Sequence, residues 1–374
     1  MSRAQDGPLA SVIIINHNMA SLVPDCLASL CDQEMPAGSY EVIFADNAST
    51  DASVARASEF APLVRIVRLE RNYGFSEGNN RALAHARGRY IVFLNADTVA
   101  HRRWLPELVA AMRANPSLGG CTANMIMPWA PEFARFDRQG LPQHLYYYDL
   151  APFGFTRYRV EPFSPEPRRT LFLSGASLML DASLLPRLGL PFDATYFPYG
   201  EDIDLSLRIN GLGYDTAVIP TSVLYHRDSF ATKLRPDAKS VLRAARLTAG
   251  RVLAYYKNMT AREFLLFLPW LLVGAPLKVA ELGWRRERQA RYLLPALGVA
   301  LLGEAWALVN LPRLRARRRE TLAARRRDAT WFWRHITRDL RPPLQGAPQT
   351  SSFPSLFDGE KGDHPLSLAG KGRG

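Results

Sequence analysis

The chain has 374 residues, 47% of them hydrophobic, and a formal net charge of +12. That length and apolar content exclude a small disulfide-stapled module and a wholly disordered chain, and fit one large domain or two moderate ones. The charge asks for an anionic counterpart, whether nucleic acid, an acidic membrane leaflet or a phosphorylated small molecule.

Cys26, Cys31 and Cys121 form no metal-ligand pattern and cannot all pair, so reduced packing thiols in a cytoplasmic setting are expected. The stretch "MSRAQDGPLASVIIINHN" lacks the order of basic head, long apolar run and small-residue site that marks a signal peptide. Residues 1–8 read as a tail. Short β-branched runs follow at "SVIII" (from Ser11), "EVIFAD" (from Glu41), "VRIVRLE" (from Val64) and "YIVFLN" (from Tyr90). Between them the spacing predicts helices over Ala20–Gln33, Asp51–Phe60, Ser76–Arg87 and Arg102–Ala114, with Asp51 as the cap of the second. Strand and helix alternating at this interval describe a parallel sheet covered on both faces.

From 127 to 170 the periodicity dissolves into Pro, aromatic and Arg residues ("MPWAPEFARF", "HLYYYDLAPFGF"), which reads as a functional loop region. Order returns with "TLFLSGASLMLD", a helix-like "EDIDLSLRINGLGY" and a strand-like "SVLYH". Beyond residue 236 the chain is helical and Arg/Leu-rich, and 342–374 reads as a disordered tail.

Ligands of open α/β sheets bind outside the carboxyl ends of the strands. Here those ends carry Asn16, Asp46, the Arg71–Asn72 pair, and Asn95 with Asp97. Asn and Asp also favour turns, so one such end means little, whereas four on one edge suggest a ligand. A carboxylate beside a pyrophosphate repels it unless a divalent cation lies between, which gives Asp97 a use. Asp46 could accept from the imide N–H of a uracil or thymine ring, while Arg71 and Asn72 suit phosphate or sugar oxygens. "GFSEGNN", holding Asn80, is a Gly-containing entry to a helix on the same edge, equally explained as a turn.

The ordered series "SVIIINHN", "FADNASTDAS", "RNYGFSEGNNRAL", "GRYIVFLNADT", "FLSGASLML", "FDATYFPYGEDIDLSLRINGLGY" and "YHRDS" resembles glycosyltransferase family two, in particular its rhamnosyltransferase-like branch. The resemblance spans roughly residues 9 to 230. It implies a GT-A α/β fold over residues 9–235, with 127–170 on the acceptor side, and an inverting transfer from a nucleotide-diphospho-sugar with dTDP-rhamnose as first candidate. It further implies that Asn16, Asp46, Arg71, Asn72, Asn80, Asn95 and Asp97 bind the donor. Asp97 corresponds to the last carboxylate of the family's D-x-D metal motif, whose first position is Asn95 here, and His226 falls where relatives complete a Mg2+ or Mn2+ site. Structurally, His226 could equally cap the last strand.

Glu201, Asp202 and Asp204 open a predicted helix, where acidic residues belong simply because the helix N-terminus favours negative charge. Asp204 and Arg208, four apart, suit an ion pair on one face. An inverting transfer also needs a base at the acceptor hydroxyl. The family's E-D motif assigns that role to Asp202, with Glu201 supporting its placement or contacting the acceptor, and Gly175 lining the substrate cleft.

In the segment from 236 to 341, "FLLFLPWLLVGAPL" and "YLLPALGVALL" are apolar but shorter than a bilayer span, and they neighbour "WRRERQAR" and "RLRARRRETLAARRR". Apolar helices beside basic clusters read as attachment to an anionic cytoplasmic leaflet, where a lipid-linked glycan or polysaccharide would be the acceptor. A tight pair of spans and a helical extension packed on the domain are the alternatives. A silent scaffold of the same fold and a nucleic-acid-binding protein are the rival functions; no nucleic-acid module is recognisable, so no nucleic-acid partner is expected.

Overall fold

The computed structural model describes residues 7–338 except 129, 134–139, 152–153, 197–198, 228–237, 286–292 and 329. The expected disordered tail at 342–374 lies outside the described residues.

Four strands form the parallel half of a nine-stranded sheet: β1 (Ala10–Asn16), β2 (Tyr40–Asp46), β3 (Val64–Arg68) and β4 (Tyr90–Asn95), in the order β3-β2-β1-β4. Their side chains alternate between two cores. Val12 and Ile14 of β1 face one layer, with α1 (Val23–Cys31) and α4 (Trp104–Ala114). Ile13 faces the other, with α3 (Gly74–Leu83) and α6 (Glu201–Gly211). Strands buried on both faces are apolar through their middles, which is why β1, β2 and β4 stood out in the sequence, whereas the edge strand β3 exposes Arg65 and Arg68. The short α2 (Ser53–Ser58) lies beside β3, and Asp51 caps it from just outside by accepting from the Ser53 N–H at 2.9 Å.

The sheet as a whole is mixed, which accords with a mostly parallel GT-A sheet. Beyond β4 the order continues β10-β6-β11-β5, with β5 (Thr98–Ala100), β6 (Leu118–Ile126), β10 (Ser177–Asp181) and β11 (Asp215–His226). β10 runs antiparallel to both β4 and β6, and β5 antiparallel to β11. A two-residue β9 (Arg168–Arg169) also pairs with β11. The stretch from 127 to 170 is not all loop either: β7 (His144–Leu150) and β8 (Thr156–Pro162) form an antiparallel hairpin. A single-turn α5 (Leu185–Leu188) precedes the loop into α6. Cys26, Cys31 and Cys121 are free thiols.

Five helices complete the described chain: α7 (Ala238–Asn258), α8 (Ala261–Arg285), α9 (Leu293–Asn310), α10 (Arg315–Ala324) and α11 (Thr330–Arg338). The C-terminal half of α7 is an interior helix, with Val252, Leu253 and Tyr255 fully enclosed among Ile203, Leu207, Phe267 and Phe332. Each such side chain contributes about 1.5–3 kcal/mol by leaving water, enough to hold α7 firmly on α6.

Candidate active site

The register of the sheet sets the site. Asn16 lies opposite Asp46, and Asn95 pairs one residue earlier on β1, so the three strands end together. Asp46 is buried and accepts from the Ser49 N–H at 3.1 Å. The Asn16 amide donates to the Ser49 hydroxyl at 3.0 Å and, longer, to Asp46 at 3.4 Å. Its Oδ1 is buried without a protein partner, a free acceptor at the strand ends. Ser49 was not legible as a site residue; its place follows only from the turn in which Ala48 takes φ 58°.

Asn72 closes the next turn by accepting from Asn47 at 3.0 Å and from the Gly74 N–H at 2.9 Å. Arg71 lies over the Tyr73 ring at 4.9 Å. Asn80 departs from the expectation. Its amide donates to the Phe192 carbonyl at 2.6 Å and accepts from the Phe192 N–H at 3.2 Å, so it fastens α3 to the loop before α6. With those groups engaged it is a poor donor ligand.

Asp97 and His226 meet at the other end, because β5 and β11 pair His226 with Thr98. The Asp97 Oδ1 to His226 Nε2 distance is 3.1 Å, and both side chains are almost buried. A carboxylate oxygen and an imidazole nitrogen this close together could both reach one small divalent cation, so Asp97 and His226 are the residues that would hold it. The described residues hold no cluster of three or more His, Cys, Asp or Glu around such a point.

Asp202 stands in the first turn of α6. Its carboxylate accepts from the Ile203 N–H at 2.9 Å. A Cβ at Gly175 would lie 3.7 Å from that of Asp202, and the neighbouring Ala176 carbonyl accepts from the Asn95 N–H at 3.2 Å. The Gly175–Ala176 segment thus joins the end of β4 to the start of α6. Burial raises the Asp202 pKa above the ordinary aspartate range. Burial, and then the charge of Asp202, raise Glu201 further, and the Glu201 Oε2 is enclosed without a partner.

Asp204 points away from this pair. It is fully buried, bonded to Arg208 at 2.9 Å as the four-residue spacing suggested, and also to Lys257 and Asn258 of α7 at 2.9 and 2.8 Å. Lys257 bridges to Asp193 at 2.9 Å. Against this knot, Gly250 of α7 abuts the Tyr199–Gly200 backbone that leads into α6; a Cβ there would fall 1.9 Å from the Tyr199 oxygen. The C-terminal helices therefore set the position of α6. A cavity of about 630 Å³ behind α6, lined by Leu207, Arg208, Lys257 and Arg317, includes none of the candidate residues.

The sequence profile of "Glycosyl transferase family 2" matches residues 11–162, and that of "Glycosyl transferase family group 2" matches residues 90–311. The chain belongs to the family 2 glycosyltransferases and is an enzyme of that class. An N-acetylglucosaminyl-diphospho-decaprenol L-rhamnosyltransferase of Mycobacterium tuberculosis is 26% identical over 217 residues, covering 52% of this chain and 69% of that protein. A putative teichuronic acid biosynthesis glycosyltransferase of Bacillus subtilis, TuaG, is 34% identical over 93 residues, 24% of this chain and 36% of its own. Among solved structures, GalNAc-T7 with UDP, GalNAc and Mn2+ superposes with TM-score 0.52 at 17% identity, over 67% of this chain and 48% of that one, a likeness of fold.

Proposed function

We propose that the protein transfers a sugar, with inversion, from a nucleotide-diphospho-sugar to a hydroxyl of a lipid-linked glycan on the cytoplasmic face of an anionic membrane. The decaprenol-linked substrate of the mycobacterial relative supports the acceptor class and makes rhamnose the first sugar to try. The observation that carries the reading is the Gly175–Ala176 bridge, which joins the donor-side strand ends to a raised-pKa carboxylate at the head of α6.

In this reading Asp46 accepts from the base, and Asn16, with its unengaged Oδ1, takes a donor hydroxyl. Arg71, Asn72 and Asn95 meet the sugar and phosphate oxygens. Asp97 and His226 would hold Mg2+ or Mn2+, which offsets the charge gathering on the leaving diphosphate. Asp202 accepts the acceptor's proton as its oxygen bonds to the anomeric carbon and the carbon–oxygen bond to the diphosphate breaks. Its raised pKa improves the match between this base and a hydroxyl that turns acidic during attack. Glu201, kept neutral by burial and then by the charge of Asp202, can donate a hydrogen bond without adding a second negative charge.

The test is a panel of nucleotide-sugars, with and without divalent cation, read by thermal shift and by released nucleoside diphosphate. One donor should raise the melting temperature only with cation. Asp202→Asn should keep that shift while losing about 10²–10⁴ in turnover. Full turnover by this variant would remove Asp202 from its role, and a chain that bound no donor would overturn the assignment.

A further inference from the structure

Helix α9 is inside out relative to an ordinary surface helix. Its inward face, set against α7, is Ala300, Gly303, Glu304, Ala307 and Asn310, all buried. Its outward face is Leu301, Leu302, Trp306, Leu308 and Val309, with Leu302 61% and Val309 78% exposed. The polar side chains thus turn toward protein and the greasy ones away from it, whereas a water-facing helix shows the reverse. The neighbouring α8 adds Leu265, Leu266 and Val273, also exposed. A contiguous apolar surface of this kind marks an interaction site.

Two observations say what covers it. First, the apolar face is followed directly by exposed basic residues: Arg313 in the turn after α9, then Arg315 and Arg319 on α10. Leucine and tryptophan beside arginine suit an anionic lipid leaflet, with rings at the interface and guanidinium groups on the phosphates. Second, the helices are held along the side of the catalytic domain. Glu304 pairs with the buried Arg251 of α7 at 3.1 Å, and a Cβ at Gly303 would fall 2.4 Å from the Ala245 carbonyl oxygen.

The run Leu297–Ala324 is long and apolar enough to cross a membrane by length and composition. A turn at Leu311–Leu314 interrupts it, however, and Arg318 of α10 donates to the Tyr256 and Met259 carbonyls at 2.8 and 2.7 Å, folding α10 back on the end of α7. α9 alone has 18 residues, about 27 Å, with a protein-facing side along much of that length. Standing it across a bilayer would drag α7 and its charged residues into hydrocarbon. A crossing α8–α9 hairpin would also carry "WRRERQAR" to the far side, against the preference of basic loops for the cytoplasm.

We propose that the outward faces of α8 and α9 lie in the plane of one anionic leaflet, with the α10 arginines on its headgroups, so that the protein sits on the membrane without spanning it. The inference rests on the membrane-side reading of the acceptor, and its test needs no sugar transfer.

The full-length protein is sedimented with vesicles of phosphatidylcholine alone or mixed with phosphatidylglycerol. Binding should require the anionic lipid and fall at least tenfold in high salt. Leu302→Glu with Val309→Glu should lower partitioning at least tenfold while leaving the melting temperature and the nucleotide-sugar thermal shift unchanged. Arg315→Glu with Arg319→Glu should erase the preference for anionic lipid. In cell membranes, alkaline carbonate should release the protein, and a single Cys placed between α8 and α9 should be labelled only from the side of the catalytic domain. Retention in carbonate or labelling from the opposite side would establish a span and overturn the proposal. So would a lipid-indifferent protein that light scattering shows to be a dimer dispersed by the glutamate pair. Vesicle binding without turnover would sink the transfer reading and leave this one standing.

Discussion

Replacing Lys257 by Met keeps the length of the side chain and removes the charge that Asp193 and Asp204 share. In the native fold the exposures of the Asp193 and Lys257 side chains are 1% and 5%, so water screens the pair little. Burial alone would raise the Asp193 pKa; the Lys257 charge reverses this and lowers it from 3.8 to about 2. At about 1.4 kcal/mol per pKa unit, that depression corresponds to roughly 2.5 kcal/mol of stability. Because the folded-state pKa is depressed, this contribution is present above the unfolded value and lost as pH falls through about 2. In Lys257→Met the desolvation persists without its compensation. Arg208 and Asn258 still serve Asp204, and Arg317 still reaches Asp193. The expected loss is therefore about 3 kcal/mol at pH 7, at the lower end for breaking a buried pair. The variant's Asp193 should take up a proton more readily than an ordinary aspartate, so the gap should shrink between pH 7 and pH 4. Urea unfolding of both proteins at the two pH values measures it. A gap below about 1 kcal/mol at pH 7, or one that widens in acid, would refute the claim that Lys257 compensates these carboxylates.

Gly250→Ala places a Cβ 1.9 Å from the Tyr199 oxygen, so α7 and the entry to α6 must part. Stability should fall by about 1–3 kcal/mol, and kcat should fall more than donor affinity, as a kinetic comparison with the wild type would show. Asn80→Ala leaves both Phe192 backbone groups unpaired and should cost about 1–3 kcal/mol in urea unfolding, with the donor-induced thermal shift retained; a lost shift would restore Asn80 as a donor ligand. Asp202 must be ionised to accept a proton, and burial lifts its pKa to about 6. Initial rates measured across pH should therefore fall as pH drops through about 6, and an acid limb near 4 would remove the burial argument.

The parallel half of the sheet was legible because strands buried on both faces are apolar through their middles, as "VIII" of β1, "VIFA" of β2 and "YIVFL" of β4 are. Their terminal residues were legible for the same reason, since Asn16, Asp46 and Asn95 end those apolar runs with polar side chains. Strand direction was not, because β10 reads the same whichever way it runs. β11 was seen only as "SVLYH": Pro220 lies where its register with β6 slips, a residue that argues against a central strand. The Tyr-rich hairpin hid because neither strand alternates regularly: β7 is buried at most positions and β8 is at least partly exposed at all of them. The polar knot was invisible for a different reason. Lys257 lies 64 residues from Asp193 and 53 from Asp204, and no local period links partners that only the packing of α7 on α6 brings together.

That packing has a practical consequence for handling the enzyme. Trimming the chain ahead of α7, the obvious route to a version that stays in water, would strip Asp204 of two of its three side-chain partners and bare the underside of the helix that bears Asp202. Solubility is better sought by recharging the exposed Leu265 and Leu266 of α8 and Leu302 and Val309 of α9 than by shortening the molecule.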